Sequence, residues 1–488
     1  MVAKCAAQKV EKKDDGKEWP QILAILIGCL MALENGMQFS WTSPFFLQLT
    51  KDKENYDITE EHASYFTTLP PIVLVLSCPL FSMLCDKIGR KAALLVGAVP
   101  YAMAWILEGF AKNVYLFHVA RCLTGIGHSS SYAALSIYIG EIATPKVRSF
   151  WGNFFSISLS LGFLIMNLLG TYFDVRQTSY IGLVPLLLFV CTFPLMPESP
   201  YYLLMRGKED EARRSLNRLR RKRDIEPAFL RLKADVARQM SETGTWSELF
   251  CITANRRALV AGVLMRFTQQ FCLSSALSAY TRYIFEGAGT NADAFTLIYC
   301  AIAFIMGVVA GFSIHRFGRR RSFLVSMSLC SSCLLMLSIF YYIEANVPQI
   351  DVSSLSWVPL IGMSGYVVFS SFGVINIPTI MLGELFSASI KTKGVSVSLC
   401  SLGLLISLTN YLFFWMSTTY GMYFPFLFFS LSSYVFTGLC AFTIPETKGR
   451  TLEEIQQILS GNLIARKSLS LFRKSVQNPI LEGTKSLA

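Results

Sequence analysis

The chain has 488 residues, of which 53% are hydrophobic and only 16% charged. A soluble domain carries about 25% charged residues, so a chain whose whole surface meets water is excluded. The net charge of +12 would suggest nucleic acid in a soluble protein, but here the cations fall in loops on one side of a series of apolar runs, as the positive-inside bias of membrane proteins requires, and no nucleic-acid partner is implied.

A spanning helix needs about 20 apolar residues. On that measure the first half holds candidate spans at 21–43, 64–84, 92–111, 115–139, 150–172 and 178–196. The second half holds 257–284, 294–314, 322–343, 356–382, 394–417 and 423–444. The fold class expected is all-α integral membrane, with about twelve spans in two six-helix, pseudo-symmetric bundles. Residues 1–20 read as a charged tail with no cleavable signal peptide. Bundles at 21–200 and 256–445 flank a linker at 201–255, and 446–488 forms a second tail. Leu216, Leu219, Leu230 and Leu232 sit at helical spacing in the charged linker, which reads as short amphipathic helices. The tail after Gly461 is polar and basic, and reads as disordered.

The two halves share a short cationic connection. Cys85-Asp86-Lys87-Ile88-Gly89-Arg90-Lys91 lies between two apolar runs, and His315-Arg316-Phe317-Gly318-Arg319-Arg320 lies at the equivalent place in the second half. Such a duplication points to an internal repeat. One set of loops carries Lys87, Arg90, Lys91, Lys146, Arg148, Arg316, Arg319, Arg320, Arg321, Lys391 and Lys393, whereas the loop at 48–63 is acidic. The cationic side is therefore expected in the cytoplasm with both termini, and the plasma membrane is the default location.

Polar residues inside spans cost a few kcal/mol unless partnered or wetted. Glu34 and Gln38 share a face of the first span. Arg121 lies early in the fourth. Arg266, Gln269 and Gln270 lie in the seventh, and Asn376 and Thr379 flank Pro378 in the tenth, where the proline should break the helical ladder. Amides and hydroxyls that both donate and accept, with little net charge, suit a carbohydrate, and Ser156, Ser274 and Ser275 add weaker signals. Helix–helix hydrogen bonding is the plain alternative for each. At the cationic helix ends, Glu141 with Arg148 and Glu384 with Lys391 share a spacing of seven. Charges so placed can bridge two bundles in one state and part in another. Most of the 13 cysteines lie in apolar runs without metal-type spacing. No nucleophile–base pair, metal cluster or phosphate loop suggests an enzyme, and no cofactor is implied.

These residues together resemble the sugar porter branch of the major facilitator superfamily over nearly the whole chain. Asp86-Lys87-Ile88-Gly89-Arg90-Lys91 is similar to that family's loop between its second and third spans. Arg121-Cys122-Leu123-Thr124-Gly125-Ile126-Gly127 and Tyr138-Ile139-Gly140-Glu141-Ile142-Ala143, with Pro145 and Arg148, are similar to its fourth span and the loop that follows. Pro197-Glu198-Ser199-Pro200 closes the sixth span and Pro445-Glu446-Thr447-Lys448-Gly449-Arg450 the twelfth. Trp41-Thr42-Ser43-Pro44 looks most like arthropod trehalose- and hexose-transporter-like members. The resemblance implies facilitative sugar transport by alternating access, with a small sugar and the lipid bilayer as partners and no implied oligomer. It implies a binding set of Gln269, Gln270, Ser275, Ser156, Asn376, Thr379 and Gln38. It implies a gate set of Asp86, Arg90, Arg121, Glu141, Arg148, Glu198, Arg319, Arg320, Glu384, Lys391 and Glu446.

Several positions depart from the family pattern. Ser275, Ser156, Thr379 and Leu273 stand where members often have Asn, Gln, Trp and Gly, and Tyr201, His315, Ser82 and Lys391 alter the gate. Gln38 stands where proton-coupled members place an Asp, which favours uniport, while Glu34 keeps proton symport open. A carrier of another organic solute and a non-transporting sugar receptor are the remaining alternatives.

Overall fold

The computed structural model describes residues 16–460 except 57, 222–223, 242–243, 290, 314–317, 348, 350–354, 387–389 and 449–451. His315, Arg316 and Phe317 of the second cationic turn, and the tail after Gly461, lie outside the described residues.

Among the described residues the chain forms helices and no strand. The first span is α1 (Trp19–Ser40) continued by α2 (Thr42–Lys51). Next come α3 (Glu60–Ile88) and α4 (Arg90–Phe110). The fourth span has three pieces: α5 (Val114–Ser130), a π-helical turn (Ser131–Leu135) and α6 (Ser136–Ile142). The short α7 (Pro145–Trp151) leads into α8 (Phe154–Tyr172) and α9 (Val175–Thr192). The charged linker folds as α10 (Pro200–Met205), α11 (Glu209–Arg220), α12 (Glu226–Ser241) and α13 (Trp246–Cys251). The seventh span is again in three pieces, α14 (Thr253–Phe271), α15 (Ser274–Ala279) and α16 (Thr281–Gly287). After it come α17 (Ala292–Ser313) and α18 (Arg319–Asn346), then α19 (Val358–Phe372) continued by α20 (Ile377–Leu385). The chain closes with α21 (Lys391–Tyr420), α22 (Tyr423–Thr443) and α23 (Leu452–Ser460).

Ten stretches among the described residues are long and apolar enough to cross a membrane. The fourth and seventh spans are absent from that set for a physical reason. The fourth is interrupted by its π turn and carries Arg121 and His128, and the seventh is broken twice and carries Arg256, Arg257 and Arg266. Broken, polar helices are tolerated at membrane depth only where protein or a water-filled cavity surrounds them. The tenth run also breaks, but not at its proline. Pro378 stands in the first turn of α20, where its missing N–H is harmless, and the break falls before it, between Phe372 and Ile377.

Small residues set the packing within a bundle. On α1 and α8, a side-chain carbon at Gly36 would meet the Leu159 carbonyl at 2.1 Å, and one at Gly162 would meet the Leu33 carbonyl at 2.3 Å. The two backbones touch there and admit nothing larger than hydrogen. The bundles meet along two seams, α3 on α21 and α8 on α17.

The two ends of the molecule differ. At the face where the spans join through residues 41–60 and 280–292, the bundles are tied together. Tyr280 Oη lies 2.9 Å from Thr67 Oγ1, Ser407 Oγ donates to the Thr68 carbonyl at 2.8 Å, and Asn410 Nδ2 donates to the Thr67 carbonyl at 3.3 Å. Lys51 pairs with Glu286. Phe46 packs against Tyr280, Tyr283 and Phe414 with ring centroids 5.5–5.7 Å apart. At the opposite, terminal face, where α1 begins and α23 ends, the charged groups pair within bundles. One cross-bundle hydrogen bond there runs from Asn153 Nδ2 to the Gly311 carbonyl at 3.0 Å.

Leu273 joins α14 to α15 in the left-handed region, at φ 61°, although it is fully buried. That is the position where the family resemblance leads one to expect glycine. An L-residue there is strained, and a β-branched one is a severe outlier. Leu273→Val should therefore cost about 1 kcal/mol more than Leu277→Val, since Leu277 is equally buried in regular helix. Thermal unfolding midpoints of the two purified variants, measured side by side, check this.

Candidate functional site

Two polar centres are buried in the apolar interior, one in each bundle, and each is built around an arginine. In the first bundle Arg121 of α5 is 2% exposed. Its Nε donates to the Phe66 carbonyl at 3.1 Å and its Nη2 to the Gln38 carbonyl at 2.9 Å. Its Nη1 donates to Gln38 Oε1 at 2.8 Å and to Glu108 Oε1 at 3.4 Å. Gln38 Nε2 donates to Glu108 Oε2 at 3.1 Å, and the Trp41 ring lies 5.1 Å from the guanidinium. The cation thus has a carboxylate, three further acceptors and an aromatic face. Nearby, Trp105 Nε1 donates to Glu34 Oε2 at 2.8 Å.

In the second bundle Arg266 of α14 is 3% exposed. Its Nη1 donates to Gln269 Oε1 at 2.9 Å and its Nη2 to Thr379 Oγ1 of α20 at 3.1 Å. Its Nε has no partner, and among the described residues no carboxylate pairs with it. Next along α14, Gln270 Oε1 receives the Ser275 hydroxyl at 2.9 Å and the Ser274 hydroxyl at 3.3 Å. The Ser275 hydroxyl also lies 3.1 Å from Asn410 Oδ1 of α21. Asn376 Nδ2 donates to the Ser371 carbonyl at 3.0 Å, which ties the broken ends of α19 and α20 together. The breaks at Leu273 and before Ile377 place these amides and hydroxyls side by side, as an unbroken helix could not.

Gln269, Gln270, Ser275, Asn376 and Thr379 therefore fall in the second bundle around the two helix breaks. Ser156 is exposed on α8 and, among the described residues, makes no side-chain hydrogen bond to them. Gln38 does not join them: it is fully buried and spent on Arg121, Glu108 and Thr124 Oγ1, the last at 3.1 Å. The reason is that α1 turns this face into its own bundle, onto α4 and α5. Arg121 likewise lies in the bundle interior and not at a helix end.

The charged residues at the terminal face pair differently from their sequence spacing. Glu141 meets Arg90, with Nη2 to Oε1 at 2.9 Å and Nε to Oε2 at 3.0 Å, while Arg148 is exposed. Arg90 also reaches Asp86 at 3.2 Å. Glu384 pairs with Arg319 at 3.7 Å, while Lys391 is exposed. In this state neither Glu141 with Arg148 nor Glu384 with Lys391 forms an ion pair among the described residues, because a helix end intervenes in each case. What repeats is a three-element clasp. Glu198 Oε1 accepts the backbone N–H groups of Arg90 and Lys91 at 3.2 and 3.1 Å, and Glu446 Oε1 accepts that of Arg319 at 2.9 Å. Carboxylates at these helix starts complement the helix dipole. The next residue then closes the set, as Ser199 donates to Glu141 and Thr447 Oγ1 to Glu384 Oε2 at 2.5 Å. Arg320 donates to the Ala441 carbonyl. Gly89 opens its clasp at φ 103°, and a side-chain carbon there would lie 2.3 Å from Glu198.

Sequence reasoning missed Glu108, a lone carboxylate in the apolar run 92–111. The rule that flagged Glu34 and Arg121 would have found it. It missed Asn410 as well, an isolated amide in a long apolar helix.

The family model described as "Sugar (and other) transporter" matches residues 21–459. The facilitated trehalose transporter Tret1 of Aedes aegypti is 27% identical over 93% of this chain and 56% of its own length. That of Drosophila grimshawi is 29% identical over 93% and 49%, and that of Polypedilum vanderplanki 27% identical over 93% and 90%. The chain thus spans about half the length of the first two of these relatives. Among solved structures, the proton:xylose symporter XylE bound to 6-bromo-6-deoxy-D-glucose matches 91% of this chain and 100% of its own, at TM-score 0.71 and 20% identity. The inward open xylose transporter XylE from E. coli matches 89% and 98%, at TM-score 0.73 and 18% identity. These likenesses establish the major facilitator fold.

Removing one partner of a buried ion pair costs about 3–5 kcal/mol, because the other charge is stranded. Glu108→Ala should lower the unfolding midpoint markedly, and adding Arg121→Leu should restore part of the loss. A double-mutant cycle on the purified protein measures that coupling.

Proposed function

This chain belongs to the sugar (and other) transporter family, and from that premise we propose that it carries a small sugar, trehalose or a hexose, through the membrane by facilitative alternating access. The observation that carries the reading is the cluster around the two helix breaks of the second bundle. Gln270 keeps its amide nitrogen and Asn376 its amide oxygen without a protein partner among the described residues. Gln269 is committed to Arg266 on one side and only loosely to the Ile375 carbonyl, at 3.4 Å, on the other. Groups of both polarities, buried or half-buried yet unspent, suit a ligand made of hydroxyls. Relatives similar over most of the chain are facilitated trehalose transporters.

The two faces supply the alternating states. Loop charge favours a cytoplasmic terminal face with both termini inside, and a plasma-membrane location. On that orientation the molecule is sealed outside by Tyr280, Phe46, Phe414 and the Lys51–Glu286 pair, while Thr379 and Ser156 are exposed. The clasps at Glu141 and Glu384 hold each bundle as a rigid body in this state. Rocking of the two bundles about the midplane then exposes the site to either side in turn.

Glu108 favours a second reading, proton-coupled transport, since a buried carboxylate beside Arg121 could gain and lose a proton as helices part. Facilitative transport is preferred because both Glu108 oxygens are hydrogen-bonded and its charge is balanced.

In a transporter-null cell, uptake of labelled trehalose or glucose should be saturable and should survive a protonophore. Gln270→Ala should raise KM about three- to tenfold, the worth of one neutral hydrogen bond at about 0.5–1.5 kcal/mol. Uptake abolished by collapse of the proton gradient would establish the second reading instead.

A further inference from the structure

The two buried arginines of this fold are treated unequally. Arg121 receives a carboxylate, an amide oxygen, two backbone carbonyls and an aromatic ring. Arg266 receives one amide oxygen and one hydroxyl, its Nε has no partner, and no carboxylate of the described residues pairs with it. A guanidinium offers five N–H groups in a planar fork that matches a carboxylate. Burying it without a counter-charge is costly, and the first bundle shows how the chain meets that cost when it supplies the counter-ion itself.

We propose that Arg266 is a specificity-determining residue whose counter-charge is brought by the cargo, and that the preferred solute is a polyhydroxylated carboxylate, a sugar acid, over a neutral sugar. This deepens the reading of the same cluster as the solute site and rests on it. The placement fits such a cargo. Thr379, whose hydroxyl receives Arg266 Nη2, is exposed, so an incoming carboxylate reaches the guanidinium by displacing one neutral acceptor. Charge-assisted, bidentate contacts then replace a single neutral bond. Gln270 and Asn376, next to it, remain for the hydroxyls of the same molecule.

The test is uptake of labelled glucuronate, glucose and trehalose at neutral pH by the full-length protein, with Arg266→Gln and Arg266→Lys beside it. Surface amount is measured for each variant. The expected result is saturable glucuronate uptake with kcat/KM at least tenfold above that of either neutral sugar. Arg266→Gln should lose at least tenfold more on glucuronate than on glucose or trehalose, and Arg266→Lys should keep part of the glucuronate activity. If glucose or trehalose is carried and glucuronate neither enters nor competes, the proposal is overturned and the sugar reading stands. If none of the three is carried by surface-exposed protein, both fall. Glucuronate uptake unchanged in Arg266→Gln overturns the role of the arginine. Should Arg266→Gln fail to reach the surface, the wild-type comparison of the three solutes decides by itself. A final arm heats the purified protein in chloride, methanesulfonate and glucuronate. Stabilisation by chloride equal to that by glucuronate would mean that an inorganic anion fills the site, and would overturn the sugar-acid assignment.

Discussion

A guanidinium group in an apolar interior must find negative charge or carbonyl oxygen, and that requirement organises both halves of this molecule. Arg121 draws α1, α3, α4 and α5 around itself through Gln38, Phe66 and Glu108. The first bundle is in this way locked by a charge-balanced centre in which each nitrogen of Arg121 donates a hydrogen bond. Arg266 draws only Gln269 and Thr379, so the second bundle keeps a polar, unsaturated centre at two helix breaks. One half is finished as a structural support, and the other is left incomplete in the way that a binding site must be.

The same economy governs the ends. The clasp built by Gly89, Arg90, Glu141, Glu198 and Ser199 recurs as Gly318, Arg319, Glu384, Glu446 and Thr447. Each clasp joins the third, fourth and sixth spans of its own bundle, so each bundle is stiff where it meets the terminal face. At the opposite face the ties cross between bundles, through aromatic rings and through hydroxyl and amide bonds to carbonyls. Stiff bodies joined by separable contacts are the parts that a rocking mechanism needs.

The spans and their repeat were legible in the sequence because each follows from local rules: apolar length and a duplicated turn. The helix breaks were not, since the tenth run breaks before Pro378 rather than at it and the break at Leu273 falls inside a run that reads as one span. The cluster of Gln269, Gln270, Ser275, Asn376 and Thr379 was legible because polar residues in apolar runs are conspicuous. Partner choice was not. Glu141 and Arg148 share a spacing that repeats, yet Glu141 is held by Arg90, 51 positions away in the chain. Gln38 has the chemistry of a sugar ligand, but the face on which α1 packs decides what it touches. Leu273 reads as a loss of backbone freedom, and the chain takes the left-handed turn regardless, with its side chain buried. These outcomes depend on contacts distant in sequence, which periodicity does not encode.

The central claim is that the incomplete centre of the second bundle carries a solute through the membrane. Counterflow tests it most directly. Purified full-length protein is reconstituted into vesicles preloaded with one unlabelled solute, glucose, trehalose or glucuronate, and diluted into a trace of the same solute labelled. The account predicts a transient, saturable accumulation of label above equilibrium for at least one of them, since a carrier exchanges cargo without any gradient of protons. Ligand-induced stabilisation of the protein with no accelerated exchange would contradict it, and would leave a binding protein on a transporter's fold.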